Sequence, residues 1–231
     1  MISFSFPHLK LKELFQRILP RRTSLQLAPL PSLGLLFVSL IDLYRKKPIR
    51  VLIKSLSDYG THLLFSSGRQ ALCSISECLQ KMSDGDSCIW VPDYYCNETL
   101  LALYSSGLQI KYYPVISDSL PNINHLKKAD FRRGDLLIIV NYFGVIHSWK
   151  EITELSSSRN IYLLEDCAHC HFTSDPKTFV GDFVLFSFHK TYPIPDGACI
   201  LINSQGPNKM SNSDLLYQTF VSSTYDLKYD Y

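Results

Sequence analysis

The sequence predicts an α/β fold, a three-layer sandwich with a mostly parallel sheet. Short apolar segments alternate with segments of helical periodicity from residue 61 to residue 203. The most apolar of them, Leu136–Val140, contains no polar residue, as expected for a strand that is buried on both faces. Polar residues directly follow several of these segments, which is typical of the strand ends where such sheets bind ligands.

Turn residues separate the predicted elements in order along the chain. Ser66-Ser67-Gly68 opens the first helix, Asp84-Gly85-Asp86 ends it, and Gly134-Asp135 precedes the apolar strand. Strands in alternation with helices imply parallel pairing through right-handed crossovers. We predict strands over residues 61–65, 87–91, 108–113, 136–140, 161–164, 183–188 and 198–203, and helices over 69–82, 97–105 and 149–157.

The composition is that of a globular protein with one large domain. The chain has 231 residues, of which 46% are hydrophobic and 19% are charged, so it can bury a sizeable core. We predict a basic, partly helical segment over residues 1–55, a large domain over 56–205 and a short tail over 206–231.

Charge is distributed unevenly although the formal net charge is only +2. Residues 1–54 contain ten Lys and Arg against Glu13 and Asp42, whereas the remainder has 13 basic and 19 acidic residues. Two interpretations stay open for this basic segment: a solvated helix surface, or peripheral contact with an anionic lipid surface or an acidic partner. No nucleic-acid partner is predicted.

The amino-terminal region predicts neither a membrane span nor a secretory signal. The apolar run over residues 33–41 is shorter than the roughly 20 residues that a bilayer requires. Lys10, Lys12 and Glu13 interrupt any early apolar core of a signal peptide. We therefore expect a cytoplasmic protein.

The seven cysteines predict reduced thiols rather than disulfides or a metal site. Their number is odd, and no two CxxC pairs occur. Cys167-Ala-His-Cys170 is formally a CxxC motif, but metal or redox chemistry there would need a second ligand pair or an exposed dithiol at a helix start.

Three polar features lie where a cofactor site is expected. Lys190 follows an apolar strand, Asp166 ends another, and Ser67-Gly68 separates a strand from a helix. Pyridoxal phosphate needs a lysine amine for its aldehyde, a carboxylate for its ring nitrogen, and hydroxyls with a helix amino terminus for its phosphate. Each feature alone has an ordinary explanation as a surface lysine, a helix cap or a turn, but together they indicate this cofactor.

Five segments carry a resemblance to a known family. From about Phe65 to Asn203 the chain resembles pyridoxal-phosphate aminotransferases of the aspartate aminotransferase fold, and within them the DegT/StrS-type sugar aminotransferases. The segments are SSGRQAL at 66–72, GD at 85–86 with IWVP at 89–92, NYFG at 141–144, LEDCAH at 164–169 and GDFVLFSFH at 181–189.

The resemblance implies a role for each candidate residue and the large domain of a pyridoxal-phosphate transferase as the fold. It implies Lys190 as the lysine that binds the cofactor covalently, Asp166 as the partner of the ring nitrogen, His169 beside the ring, Ser187 on the phosphate, and backbone amides of Gly68, Arg69 and Gln70 around the phosphate. Tyr95 or Tyr94 would stack on the ring, although strict alignment puts Cys96 at that position.

The chain departs from the family pattern in three respects. Lys190 lies three residues after Ser187 rather than five, as in the SxxK pattern of the wider fold. Arg69 replaces the usual threonine, which removes a hydroxyl and adds a cation. Only about 28 residues follow Asn203, where family members have a small domain, so the chain is either a fragment or has lost that part.

The predicted function is transfer of an amino group from glutamate or glutamine to a nucleotide-linked keto-sugar by a homodimer, in cell-surface polysaccharide or amino-sugar biosynthesis. A non-catalytic cofactor-binding or partner-binding paralogue stays open, as does another pyridoxal-phosphate lyase of the same fold. Within that last group, Lys190 argues against the sugar dehydratases, which have histidine there. The absence of a cysteine after Cys199 argues against a desulfurase.

Overall fold

A computed structural model describes residues 61–83, 86–116, 118–171, 178–192, 194–209, 218 and 220. The strands are β1 (His62–Phe65), β2 (Cys88–Pro92), β3 (Gln109–Tyr113), β4 (Leu136–Val140), β5 (Tyr162–Asp166), β6 (Phe183–Ser187) and β7 (Ala198–Ile202). The helices are α1 (Gly68–Ser83), α2 (Asn97–Tyr104), α3 (Ile123–Lys128) and α4 (Lys150–Arg159), with short 3-10 turns at Tyr142–Gly144 and Phe188–Lys190.

The strands form one mixed sheet in the order β1-β7-β6-β5-β4-β2-β3. Pairing is parallel from β6 through β5, β4 and β2 to β3, and it is antiparallel where β7 joins β6 and β1 joins β7. The prediction of a mostly parallel sheet is therefore confirmed. The parallel run places the carboxyl ends of β4, β5 and β6 side by side at one edge.

Helices cover both faces of the sheet, which confirms the three-layer sandwich. Alternate residues of β4 point to opposite faces: Ile138 belongs to the core under α1, and Ile139 belongs to the core under α3 and α4. Leu72 from α1 and Ile152 from α4 are fully buried in these two cores. Because both faces are covered, β4 can consist of apolar residues alone.

Beside shifts of one or two residues at several element ends, the structure differs from the predicted elements at two points that matter for the site or the fold. Helix α3 was not predicted, because its six residues are too few to show a helical period. Asn122 caps it, with its side-chain oxygen accepting a hydrogen bond from His125 N at 3.0 Å. Strand β6 ends at Ser187 rather than Phe188, since the chain turns there into the 3-10 segment that carries Lys190.

Parts of the predicted domain organisation lie outside the described residues. These parts are the basic segment over 1–55, most of the tail over 206–231, and Asp84 and Gly85 of the predicted turn. Among the helices of the described ranges, none is long and apolar enough to cross a bilayer.

Candidate cofactor-binding site

A cleft of about 610 Å³ opens at the carboxyl ends of β4, β5 and β6 and at the amino terminus of α1. The segments that line it come from all three strand ends, from the β2–α2 loop and from the first turn of α1. This is the edge where a parallel α/β sheet is expected to bind its ligand. The cleft brings together Lys190, Asp166, His169, Ser187, Gly68, Arg69 and Tyr95, all predicted site residues.

Asp166 is the last residue of β5, and its carboxylate is buried at the floor of the cleft, with 7% of the residue exposed. One carboxylate oxygen, Oδ1, accepts a hydrogen bond from Ala168 N at 2.9 Å. The other, Oδ2, accepts one from the Tyr95 hydroxyl at 2.8 Å. The carboxylate thus caps the turn after β5 and also faces the cleft. A role as a cap and a role as a partner for a cofactor are therefore compatible for this residue.

Lys190 ends the 3-10 turn after β6 and reaches the same cleft. Its Nζ lies 3.4 Å from His169 Nε2. Partial burial, and then the positive charge of Lys190, lower the pKa of His169. The imidazole is therefore neutral near pH 7, and its Nε2 is able to accept a hydrogen bond from Lys190 Nζ.

Replacing Lys190 with alanine is expected to raise the pKa of His169, because the neighbouring cation that disfavours the imidazolium is removed. An NMR titration of the His169 ring protons measures this shift. The low folded-state pKa means that the unfolded chain takes up this proton first as the pH falls, so His169 reduces the free energy of unfolding at acid pH. The exposed Lys150→Ala variant should leave the titration unchanged, and an unchanged pKa in K190A would contradict the contact.

The amino terminus of α1 forms the end of the cleft that suits a phosphate. Within the described part of the chain, the N–H groups of Gly68 and Arg69 have no hydrogen-bond acceptor. A Cβ at Gly68 would lie 3.8 Å from Ser187 Oγ, inside the space between helix and strand. Ser187 is buried, and its hydroxyl lies 3.2 Å from His189 Nδ1. Free amides, a hydroxyl and a helix dipole therefore meet there.

The structure corrects the prediction that the backbone amide of Gln70 donates to the phosphate. Its N–H already donates to Ser67 Oγ at 3.2 Å, and its side-chain Oε1 accepts from the Ser66 hydroxyl at 2.7 Å. Gln70 also does not belong to the cleft wall. The first turn of α1 uses this residue to cap itself, which leaves Gly68 and Arg69 as the candidate donors.

The residues predicted to stack on the cofactor ring occupy different positions in the wall. Tyr95 packs against the core and binds Asp166 through its hydroxyl, whereas Tyr94 is 62% exposed at the rim. Cys96 is exposed in the same wall, just before α2. The amide of Thr99, in the first turn of that helix, lowers the pKa of the Cys96 thiol. Which of the three contacts the ring stays a prediction.

Asn141 and Glu165 support the cleft, and sequence reasoning assigned neither a role. Asn141 Nδ2 donates to Glu165 Oε1 at 2.7 Å, and Glu165 Oε2 accepts from Val180 N and Gly181 N. Burial raises the pKa of Glu165. The position of Asn141 directly after the apolar strand β4 was the signal that could have identified it.

Gly144 fits closely against the β5 loop. Its φ of 80° favours glycine, and a Cβ there would lie 2.7 Å from the His169 carbonyl oxygen. The preceding residue, Phe143, also has a positive φ of 56°, and its ring stacks on the His169 ring with centroids 6.4 Å apart. These contacts hold His169 at the cleft mouth.

The CxxC motif does not form an exposed dithiol. Cys167 and Cys170 are 0% and 3% exposed, and Cys170 N donates to the Cys167 carbonyl at 2.9 Å. Burial raises the pKa of Cys167 well above its ordinary value. Both thiols are therefore part of the core behind the site.

The residues present fit pyridoxal phosphate. The buried Asn141 Oδ1, in the cleft wall, has no hydrogen-bond partner. This orphaned acceptor points to a polar ligand. A lysine amine, a buried carboxylate and a helix amino terminus are available for the three polar groups of the cofactor. The fold and the cleft thus define the large domain of a pyridoxal-phosphate-dependent transferase.

The chain belongs to the DegT/DnrJ/EryC1/StrS aminotransferase family. The model of that family matches residues 62–207, more than half of the chain, and pyridoxal phosphate is the cofactor of these aminotransferases. The match covers all seven strands of the sheet and the whole cleft.

Solved structures with the same fold include sugar-modifying enzymes. The chain is 18% identical to Helicobacter pylori PseC, an aminotransferase involved in the biosynthesis of pseudoaminic acid, with a TM-score of 0.56 over 73% of this chain and 45% of that one. It is 22% identical to Escherichia coli GDP-4-keto-6-deoxy-D-mannose-3-dehydratase, with a TM-score of 0.53 over 66% of this chain and 42% of that one. At these identities the likeness concerns the fold.

One of the curated relatives is a cysteine desulfurase. The chain is 34% identical over 104 residues to the mitochondrial cysteine desulfurase of Candida maltosa, a match that covers 42% of this chain and 21% of that protein. The chain spans about a fifth of the length of this relative and less than half of the two solved structures.

Proposed function

We propose that this chain binds pyridoxal phosphate through Lys190 and takes part in transferring an amino group to a nucleotide-linked keto-sugar. The observation that carries the proposal is the convergence of Lys190 and Asp166 on one cleft with the free amino terminus of α1. When bound, the cofactor supplies an aldehyde for the amine and a protonated ring that accepts electrons. The family membership supports transamination as the reaction.

The residues of this chain have separate tasks in the proposed reaction. Lys190 holds the cofactor and, once its amine is released, moves a proton at the α carbon of the donor. His169, neutral near pH 7 and 3.4 Å away, accepts a hydrogen bond from Nζ and orients the amine. Asp166 holds a proton on the ring nitrogen of the cofactor, while Ser187 and the amides of Gly68 and Arg69 bind its phosphate.

The proposed substrates are glutamate or glutamine as the amino donor and a nucleotide-linked keto-sugar as the acceptor. The proposed setting is the synthesis of amino sugars for cell-surface polysaccharides. Its support is the family and the sugar-modifying enzymes among the structural neighbours. A cytoplasmic location is the corresponding proposal, and it agrees with the seven free thiols of the chain.

The proposed assembly is a homodimer that covers the mouth of the cleft. Large apolar side chains are exposed there: Phe143 at 74%, Tyr94 at 62% and Val145 at 53%. Exposed apolar residues next to a functional cleft are typical of a surface that a partner covers. A second copy would exclude water from Lys190 and His169.

Transfer of nitrogen from [15N]glutamate tests the proposed reaction. The purified chain is loaded with pyridoxal phosphate and incubated with the labelled donor and a nucleotide-linked 4-keto-sugar, and the product is analysed by mass spectrometry. We expect label in the sugar from the wild-type protein. A loaded protein that transfers no nitrogen would contradict transamination by this chain and would favour a cofactor-binding, non-catalytic role.

Release of sulfur from cysteine is a second candidate function. The match to cysteine desulfurases favours it, and the exposed Cys96 in the cleft wall, with its lowered pKa, is a candidate sulfur acceptor. In this reaction the sulfur of cysteine passes to the Cys96 thiol as a persulfide and alanine is left, and added dithiothreitol then reduces the persulfide to sulfide. Sulfide and alanine formed from cysteine by the loaded wild type with dithiothreitol, and lost in Cys96→Ser, would support this function. The buried Cys199→Ser change is the matched control, because that thiol lies in the core away from the cleft.

A further inference from the structure

Tyr95 makes a contact that stacking on a cofactor ring does not explain. Its hydroxyl donates a hydrogen bond of 2.8 Å to Asp166 Oδ2, which is the oxygen left free by the turn after β5. The residue comes from the β2–α2 loop, 71 positions earlier in the chain. Its ring packs against the core under α1, so the direction of the hydroxyl is fixed by packing.

The Tyr95 hydroxyl keeps its proton and acts as the hydrogen-bond donor in this contact. Burial, and then the negative charge of Asp166, raise the pKa of Tyr95 well above its ordinary value, so the phenol keeps its proton. Asp166 Oδ1 already receives the Ala168 amide. Both carboxylate oxygens of Asp166 therefore accept a donated hydrogen bond, and such bonds stabilise negative charge on the oxygens.

We propose that Tyr95 is a positioning residue: its hydrogen bond orients the Asp166 carboxylate and stabilises negative charge on Oδ2, which favours the shared proton on the ring nitrogen of the bound cofactor. This inference rests on the proposed function, because it concerns the same cleft and the same carboxylate. A proton between a carboxylate and a pyridine nitrogen lies on the nitrogen when the carboxylate is the better stabilised anion. The Tyr95 hydroxyl supplies that stabilisation by its hydrogen bond to Asp166, without contacting the ring nitrogen itself.

Other groups near the carboxylate do not perform this task. Lys190 and His169 line the same cleft, and their own contact is with each other at 3.4 Å. The Tyr142 hydroxyl donates to the Tyr94 carbonyl oxygen and not to Asp166. Within the described residues, Tyr95 is the side chain that donates to this carboxylate.

The test compares Tyr95→Phe with the wild type after loading with pyridoxal phosphate labelled with 15N at the ring nitrogen. Phenylalanine keeps the ring and its packing and removes only the hydroxyl. We expect the ring-nitrogen NMR signal of the wild type at the position of a protonated pyridine, and that of Y95F shifted toward the unprotonated position. A purely structural role of Tyr95 would leave this signal unmoved.

A second measurement uses a cofactor analogue with carbon in place of the ring nitrogen. The wild type should bind pyridoxal phosphate more tightly than the analogue, and Y95F should lose about tenfold of that preference, since 1.4 kcal/mol of a charge-assisted hydrogen bond corresponds to a factor of ten. The control is Tyr112→Phe, which removes the hydroxyl of an exposed tyrosine in β3 that does not line the cleft.

The outcomes separate this inference from the proposed function. A loaded Y95F protein with unchanged ring-nitrogen signal and unchanged preference would overturn the role of Tyr95 alone. A wild-type protein that takes up no cofactor would overturn the proposed function and this inference with it. Thermal unfolding of Y95F within a few degrees of the wild type confirms that the variant is folded.

Discussion

Replacing Lys190 with alanine is expected to abolish covalent attachment of pyridoxal phosphate and to lower amino transfer about 1,000-fold. Lys190 Nζ is the amine in the cleft that lies beside His169, and a positioned proton-transfer group contributes about 10²–10⁴-fold to a rate. The absorbance band of the covalently bound cofactor, near the edge of the visible range, should be present in the wild type and absent in K190A. Reduction with borohydride followed by peptide mass spectrometry should locate the label on Lys190.

A matched surface lysine provides the control for this prediction. Lys150 is exposed at the start of α4 and does not line the cleft, and Lys150→Ala should keep both the band and the transfer rate. Retention of the band in K190A, or label on another lysine, would contradict Lys190 as the attachment site. The spacing of three residues after Ser187 makes this test decisive, because Tyr192 stands where many sugar aminotransferases have their lysine.

The sheet could be predicted from the sequence because its signals are local and long enough to recognise. Strand β4 is a run of five apolar residues. Successive residues along it pack alternately into the core under α1 and into the core under α3 and α4. Helix α1 has 16 residues and a Ser-Ser-Gly start. Helix α3, with six residues and an Asn122 cap, carries too little periodicity to be detected.

The contacts of the candidate site were harder to predict where they depend on the direction in which a side chain points. Lys190 and Asp166 follow strands, so their shared sheet edge could be inferred from topology. The capping of Gln70 by Ser67 and the turn of Tyr95 toward Asp166 depend on rotamers and on contacts between distant segments. Such contacts leave no local pattern in a single sequence, and motif alignment alone assigned both residues to other roles.

The polar residues just outside the cleft link its chemistry to the stability of the sheet. Glu165 precedes Asp166 in β5 and points to the opposite face, where it binds Asn141 and two backbone amides. A buried carboxylate that satisfies several donors fixes the strand ends relative to one another. A second buried carboxylate with several donors, Asp135, lies at the amino ends of the strands, directly before β4.

Replacing Asp135 with alanine is expected to lower the free energy of unfolding by about 3–5 kcal/mol, since breaking a buried, fully hydrogen-bonded carboxylate leaves its donors unpaired. Asp135 is 0% exposed, and its carboxylate accepts hydrogen bonds from Cys88 N at 2.8 Å, Trp90 Nε1 at 2.9 Å and Arg132 N at 3.0 Å. These bonds join β2 to the turn before β4. Urea unfolding followed by tryptophan fluorescence measures the loss, and Trp90 reports directly on the broken contact.

Asp130 is the matched control for this prediction, because it has the same side chain, and that side chain is exposed in its ion pair with Lys111. Its carboxylate lies 2.8 Å from Lys111 Nζ with 77% of its side chain exposed, and such pairs contribute little to stability. Asp130→Ala should therefore unfold at the same urea concentration as the wild type within error. If D135A and D130A were equally stable, the buried carboxylate would not be what joins β2 to β4, and apolar packing around Trp90 would carry that junction.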